Sequence, residues 1–599
     1  MIRFHPSQQP IQILLILCSI AASLLAAGPA AASAYIQFGP EINVSNTTVP
    51  STKGRLEVAV DPMTLEKIYL VAYGDGPAGA ADIFLRYSSD GGATFSAPIN
   101  LSNTAGQINT VGAPGDSFKP DVKVNGGNVQ VAWVDTYCPG GAQGSYTPPG
   151  GVLTAFHCLY IARSFDAGRT WEPAEQITDG SQDAFNISSF SSSAGFATAW
   201  QEDPLGLQPG EGQGPGDGGS GALTSPGTDI YYTALGTADF ESSTPFPAPT
   251  EVSDNLSTSM GSPAASRAQL RLVGNTALLA YEETRGMMQM GKNILYHSFP
   301  FTAPPSSAAG DVLNESPTEN CRRVRLISQS PAATGDADTT VVALWRQGAQ
   351  NQGGPADILM RRAVGAFGIG AYDPAINLTS PNLDDPTGAI PEDNARAHRA
   401  LLRGDFVAFV YNYTPDDDAS QMQLATYDTY IRRSQDGGQS WDGPVNLSNL
   451  NDFSLLTGEP RLVGTPPTIP SGDPQDVRNV SAFFVSWGTH TNDGANTPLD
   501  LFVLGTQDGG ESFGPIAALA VGPSEQGEAQ LRSNPAGSLL CATWSDDVTG
   551  DHDIFFRCAT ATLAPPIPTL GGIGLALLVL ALTAAALKLL AARSPASPR

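Results

Sequence analysis

Ser88-Ser89-Asp90-Gly91-Gly92-Ala93-Thr94-Phe95 returns three times along the chain. The later copies are Ser164-Phe165-Asp166-Ala167-Gly168-Arg169-Thr170-Trp171, Ser434-Gln435-Asp436-Gly437-Gly438-Gln439-Ser440-Trp441 and Thr506-Gln507-Asp508-Gly509-Gly510-Glu511-Ser512-Phe513. Each reads as a hairpin turn. The aspartate accepts hydrogen bonds from backbone N–H groups further along, and glycine supplies the positive φ that the turn needs. The closing aromatic tucks under the turn as the next strand begins.

A second pattern recurs more often: an apolar run that ends in an aromatic residue. The runs end at Tyr73, Trp133, Trp200, Tyr281, Trp345, Phe409, Trp487 and Trp544, which gives eight units. A short strand precedes each run, as in Pro120-Asp121-Val122-Lys123-Val124. A third strand follows, introduced by an aspartate at Asp82, Asp229, Asp357, Asp500 and Asp553, where it fixes a turn. The fourth carries Asn100-Leu101-Ser102 or Asn446-Leu447-Ser448, read as the end of a repeated edge strand. Many short strands joined by Gly- and Pro-rich turns define an all-β chain, and repetition at this period defines a propeller of four-stranded blades. The last unit lacks a fourth strand, whereas Phe38-Gly39-Pro40-Glu41-Ile42-Asn43-Val44-Ser45 resembles a fourth strand without a blade. Residues 36–45 are therefore expected to complete the last blade and close the ring.

The turn motif resembles the Asp-box, or BNR repeat, of the sialidase superfamily. The resemblance implies that Asp90, Asp166, Asp436 and Asp508 are structural, between the third and fourth strands of a blade and away from the catalytic face. Sialidases are six-bladed, so the eight units leave room for a six- or seven-bladed ring with an accessory sheet. The family's Arg-Ile-Pro element is absent; Lys53-Gly54-Arg55-Leu56 is the nearest segment. By position and residue type, Tyr73 and Tyr281, with Glu282 and Glu283, stand where a tyrosine nucleophile and its glutamate partner would be sought.

The two ends lie outside this repeat. Residues 1–34 carry Arg3 and His5, an apolar stretch from Ile11 to Ala27, and the small-residue exit Ala32-Ser33-Ala34, the pattern of a secretory signal peptide. Residues 35–563 form the propeller. Residues 564–599 carry Ile567-Pro568-Thr569-Leu570 ahead of a transmembrane helix at 571–590, whose apolar run from Gly571 to Leu587 is followed by Lys588, Arg593 and Arg599. This tail resembles the IPTL-type sorting signal of Gram-negative bacteria, or else an ordinary C-terminal anchor. Export to the cell surface, attachment through the helix and a processing enzyme at the tail are what it implies.

The formal net charge of −27 argues against nucleic acid as a partner. No metal or cofactor fingerprint occurs, and a monomer without cofactor is expected. Cys138 and Cys158 bracket a Gly/Pro-rich loop, while Cys541 and Cys558 fall opposite each other if Trp544 pairs with Phe555; both pairs are candidate disulfides in an oxidising compartment. Cys321 is left over.

Propeller geometry gathers the starts of first strands and the ends of second strands on the face opposite the Asp-boxes. Arg55, Arg267, Glu282, Arg396, Arg461, Arg532 and Asp546 are the candidate ligand-binding residues there, with Lys119, Arg323 and His398 beside them. Arginine grips carboxylates in two-pronged fashion, so a funnel ringed by arginine suits an anionic sugar. The opposing expectation is that Arg267 with Glu282, and Arg532 with Asp546, form ion pairs inside their own blades. Three functions follow: binding of a glycan or protein ligand at the funnel, an exo-sialidase or related glycoside hydrolase, and a non-catalytic extracellular scaffold.

Overall fold

The structure, a computed structural model, describes residues 33–563 apart from 149–150, 207–224, 260, 285–290, 317, 331–337, 349–355, 380–392, 415–426, 451–453, 467–477 and 492–498. The signal-peptide reading (apart from residues 33 and 34) and the tail from 564 with its helix lie outside the described residues. Among the described residues, no helix is long and apolar enough to cross a membrane.

The chain is nearly all β-strand, arranged as successive four-stranded antiparallel sheets. Their innermost strands are Ser51–Val60, Ser117–Asn125, Asp183–Ser192, Ala265–Val273, Asn320–Ser328, Asn394–Arg403, Leu455–Gly464 and Gln526–Ser533, which number blades one to eight. Each innermost strand packs on the next, and that of blade eight packs on that of blade one. The ring closes with eight blades. The core is divided accordingly into eight apolar clusters, one at each junction between consecutive blades.

The second strand of each blade is covered by neighbours on both faces, which is why it reads as an unbroken apolar run rather than an alternating one. Trp133, Trp200 and Trp345 at its end are fully buried. In blade six the register corrects the sequence reading. Val410, opposite Arg399, matches Ala132, opposite Asp121, so the anchor equivalent to Trp133 is Tyr411 and not Phe409. The two rings stack 4.7 Å apart, and either satisfies an aromatic pattern.

Closure follows the expectation and adds to it. Ile42 and Asn43 pair with Phe556 and Phe555 as the fourth strand of blade eight. The preceding strand, Ser33–Phe38, pairs with Asp553–Leu563 and, through Ser33 and Ala34, also with Asp500–Thr506 of blade seven. The link to blade seven thus runs through Ser33 and Ala34, the last two residues of the segment read as a signal peptide, while residues 35–38 pair with blade eight alone. Both expected disulfides are formed, Cys138–Cys158 and Cys541–Cys558, and Cys321 is buried and in no disulfide among the described residues.

The repeated aspartate of the third strand does more than fix a turn. Asp82 accepts hydrogen bonds from Asn100 and Ser102, and Asp428 from Asn446 and Ser448, so each carboxylate clasps the Asn-x-Ser triplet of its edge strand. The four Asp-boxes share one geometry: Thr94, Thr170, Ser440 and Ser512 each donate N–H and hydroxyl to the box aspartate. The aromatic packs back on the preceding blade, Phe95 edge-on to Phe556 at 5.1 Å. Gly92 has φ 87°, and a Cβ there would run into the Phe556 ring, so both conformation and space require glycine.

Candidate functional site: a basic axial channel

Every innermost strand carries a one-residue register shift near its start, between Thr52 and Arg55, Phe118 and Asp121, Arg322 and Arg325, and at the matching point of the other five blades. The extra residues adopt left-handed φ at Lys53, Lys119, Asn186, Arg267, Arg323, Ala397 and Glu528. A bulge repeated round a ring bends each strand and re-aims the residues that follow it toward the axis.

Beyond the bulge, alternate residues of the inner strand line a cavity of about 1120 Å³ that runs down the axis. Arg55, Asp121, Ser188, Arg325, Arg399, Arg461 and Gln530 occupy equivalent positions just after the bulge and line it together. Two residues deeper stand Glu57, Lys123, Arg271 and Arg532, and Arg403 is deeper still. Thirteen of the chain's 31 lysines and arginines line this one cavity, against the three carboxylates Glu57, Asp121 and Glu528. In a chain of net charge −27 this concentrates positive potential where low-dielectric walls focus it.

The three carboxylates are occupied. Glu57 takes the Arg532 guanidinium in a two-pronged grip from the neighbouring blade, Asp121 holds Lys123, and Glu528 holds Lys53. Among the described residues, several arginines meet only neutral acceptors: Arg55 the Gly54 carbonyl, Arg271 that of Leu270, Arg403 those of Thr465 and Leu402, and Arg325 the Gln269 amide at 3.2 Å. Arg271 and Arg403 are pushed down to about 10, chiefly by burial. Arg325 is pushed down to about 9, by burial first and then by Arg323, Arg461, Arg271 and Arg267. At neutral pH all remain cations, held together at an electrostatic cost. Burial works against the Arg532 charge, but Glu57 outweighs it and raises the pKa.

Of the seven candidate binding residues, Arg55, Arg396, Arg461 and Arg532 line the cavity. Arg396 lies over the Tyr427 ring at 3.5 Å, and Arg461 donates Nε to the Ala529 carbonyl at 3.2 Å. Arg267, Glu282 and Asp546 are not among the lining residues. Glu282 is fully buried, accepting from Lys292 Nζ and from the Arg323 N–H, both at 2.8 Å. Burial alone would raise its pKa; Lys292 and Arg267 reverse that and lower it. The Arg532–Asp546 pair does not form, because Asp546 lies opposite Gln526 while Arg532 sits six residues further along. Tyr73 and Tyr281 are fully buried between blades, Tyr281 hydroxyl lying 3.1 Å from His297 Nε2, so neither faces the channel. Arg271, Arg325, Arg399 and Arg403 were missed in sequence. The signal that finds them is basic residues at alternating positions in the strand before each aromatic anchor.

No family model matches the chain, and no curated protein matches it in sequence. Similar solved structures include the Hadza microbial sialidase Hz136, at 13% identity and a TM-score of 0.29, covering 60% of this chain and 63% of that one. The chain thus spans less than two thirds of that sialidase. Others are the intramolecular trans-sialidase from Ruminococcus gnavus (11% identity, TM-score 0.29, 69% and 98% covered) and the polysaccharide lyase Uly1 (8% identity, TM-score 0.38, 88% and 100% covered). At these scores the ring of sheets itself, not the likeness, is the ground for the fold.

Proposed function

We propose that this protein is a binding propeller whose axial channel takes an anionic glycan. The observation that carries the reading is the convergence of Arg55, Arg325, Arg399 and Arg461 on one cavity while each lining carboxylate is already gripped by a cation. Glycoside hydrolysis by paired carboxylates needs one acid and one base or nucleophile flanking the bond. Here Glu57, Asp121 and Glu528 hold Arg532, Lys123 and Lys53 instead, and the tyrosines considered as nucleophiles are buried. Binding rather than cleavage is what such a lining serves.

Two disulfides support residence in an oxidising compartment. With the signal-like N-terminus and the IPTL-like tail, they support a surface or envelope protein of a Gram-negative bacterium, presenting the channel outward as a monomer.

The test is a binding screen of the full chain against acidic and neutral oligosaccharides, run beside a fluorogenic sialoside. Acidic ligands are expected to bind in a salt-sensitive manner, with loss on Arg461→Ala and no turnover. Turnover that Arg55→Ala or Arg461→Ala abolishes would replace the binding reading with a hydrolase.

A further inference from the structure

His398 is 1% exposed, lines the axial cavity, and its Nε2 has no hydrogen-bond partner among the described residues. It stands in the bulge of blade six, next to Ala397, whose φ of 54° turns the chain there. Burial first, then Arg325, Arg399, Arg323 and Arg346, hold the imidazole neutral, well below its usual range. Arg346 is used within the fold, bridging to Asn394 at 2.7 Å and to the Ala395 carbonyl at 2.9 Å. Among the described residues, Arg325 keeps a buried Nε without a partner, and its NH1 meets only the Gln269 amide. A neutral ring with an orphaned nitrogen, amid cations that no carboxylate offsets at Arg325, is an expensive arrangement for a wall without a ligand.

We propose that the wall shared by blades five and six, centred on His398 and Arg325 with Arg323 and Arg399, is a discrete subsite for a tetrahedral oxyanion carried as a sulfate or phosphate ester on the ligand. This deepens the reading of the channel as a glycan site and rests on it. A carboxylate is planar and is satisfied by one guanidinium fork. The groups here come from two strands and several levels: Arg323 in one bulge, Arg325 two residues deeper, His398 in the facing bulge, Arg399 just past it. Donors arranged around a point suit an anion with oxygens in three dimensions. In the tautomer with Nε2–H, His398 donates a neutral hydrogen bond and adds no further positive charge.

The experiment has two arms on the full chain. In the first, thermal unfolding is followed with sodium sulfate, phosphate or acetate at equal ionic strength. Sulfate and phosphate are expected to raise Tm well beyond acetate in the parent protein. That excess is expected to vanish in Arg325→Met and in His398→Gln, which subtracts the general stabilisation such salts give. Arg325→Met is also expected to unfold no lower than the parent without anion, since it relieves repulsion; His398→Gln supplies the test if it does not fold. In the second arm, sulfated, phosphorylated and uronate forms of one oligosaccharide are titrated. The two esters are expected to bind more tightly than the uronate and to lose about tenfold or more on either substitution, the worth of a charge-assisted contact. Equal sulfate protection in parent and both variants overturns the subsite. If sulfated glycan binding falls with Arg55→Ala and Arg461→Ala but ignores Arg325 and His398, the channel reading survives and the subsite fails. If free sulfate protects through Arg325 while no acidic glycan binds, the subsite survives and the glycan reading fails.

Discussion

Ser45 donates its hydroxyl to Asp553 Oδ1 at 2.6 Å, across 508 residues of sequence. Asn43 Nδ2 reaches the other carboxylate oxygen at 2.7 Å, and Ile554 N–H returns a bond to Ser45 Oγ at 2.8 Å. The same clasp joins Asp82 to Asn100 and Ser102 within blade one, where it spans about twenty residues. One local device is therefore used at blade eight to lock a ring. Asp553→Ala is expected to lower stability by about 2–4 kcal/mol, the loss of several hydrogen bonds to one charge. Limited proteolysis should then release the segment up to Ser45, whereas Asp428→Ala should destabilise without exposing the N-terminus. An N-terminal segment equally protected in both variants would contradict the closure.

Stability is expected to peak near pH 4–5. Burial opposes the Asp553 charge, but Ser45, Thr549 and Asn43 lower its pKa; Asp90 and Asp436 are held at about 2. For groups depressed on folding, the stabilisation is present above the unfolded value of 3.8 and is lost as pH falls through the folded value. Buried Glu202 has the opposite sign. Burial raises it to about 8, so its contribution is full below 4.5 and is lost as pH rises toward 8. Glu283, at about 7, acts alike. Tm at pH 5 should exceed Tm at pH 8, and Glu202→Gln should narrow that gap while keeping the acceptor for Trp200 Nε1 at 2.8 Å. A wider gap in the variant would refute the assignment.

Asp436→Ala should cost stability and leave ligand affinity unchanged. Its hydrogen bonds are all local, to Ser434, Gln439 and Ser440, and it is not among the channel-lining residues. Thermal unfolding and titration with an acidic glycan measure the two effects separately. A fall in affinity at unchanged stability would place the Asp-box at the binding site instead.

Removing the Cys138–Cys158 bridge by paired serine substitution is expected to cost roughly 3 kcal/mol on the chain-entropy account. Alkylation of the denatured, unreduced chain beyond residue 34 should label Cys321 alone, and in the native state nothing. Labelling of Cys541 or Cys558 would contradict the second bridge.

Much of this was legible in the residues. The Asp-boxes, the apolar second strands and the unpartnered Asn43-Val44-Ser45 gave the ring and its closure, because each depends on local turn chemistry or on burial of both faces. The bulges were not legible. Lys53, Lys119, Arg267 and Arg323 adopt left-handed φ with no glycine to announce it. Without the bulges, strand starts are misplaced, and Arg532 was set opposite Asp546 although its true partner, Glu57, lies on a blade 475 residues away in sequence. The channel arginines were half visible for the same reason. Which alternate residue faces the axis depends on the bulge before it. In blade six, Phe409 and Tyr411 both fit the aromatic pattern, and only register tells them apart.

The most direct test of the basic channel is calorimetric titration of the full chain with one oligosaccharide in sulfated and desulfated forms, repeated with the Arg55→Ala/Arg461→Ala double variant. The account predicts salt-dependent binding of the sulfated form, none of the desulfated form, and a loss of about a hundredfold or more in the variant, two charge-assisted contacts at about 1.5–3 kcal/mol each. Equal affinity for both forms, or sulfated-form binding that survives the double substitution, would contradict it.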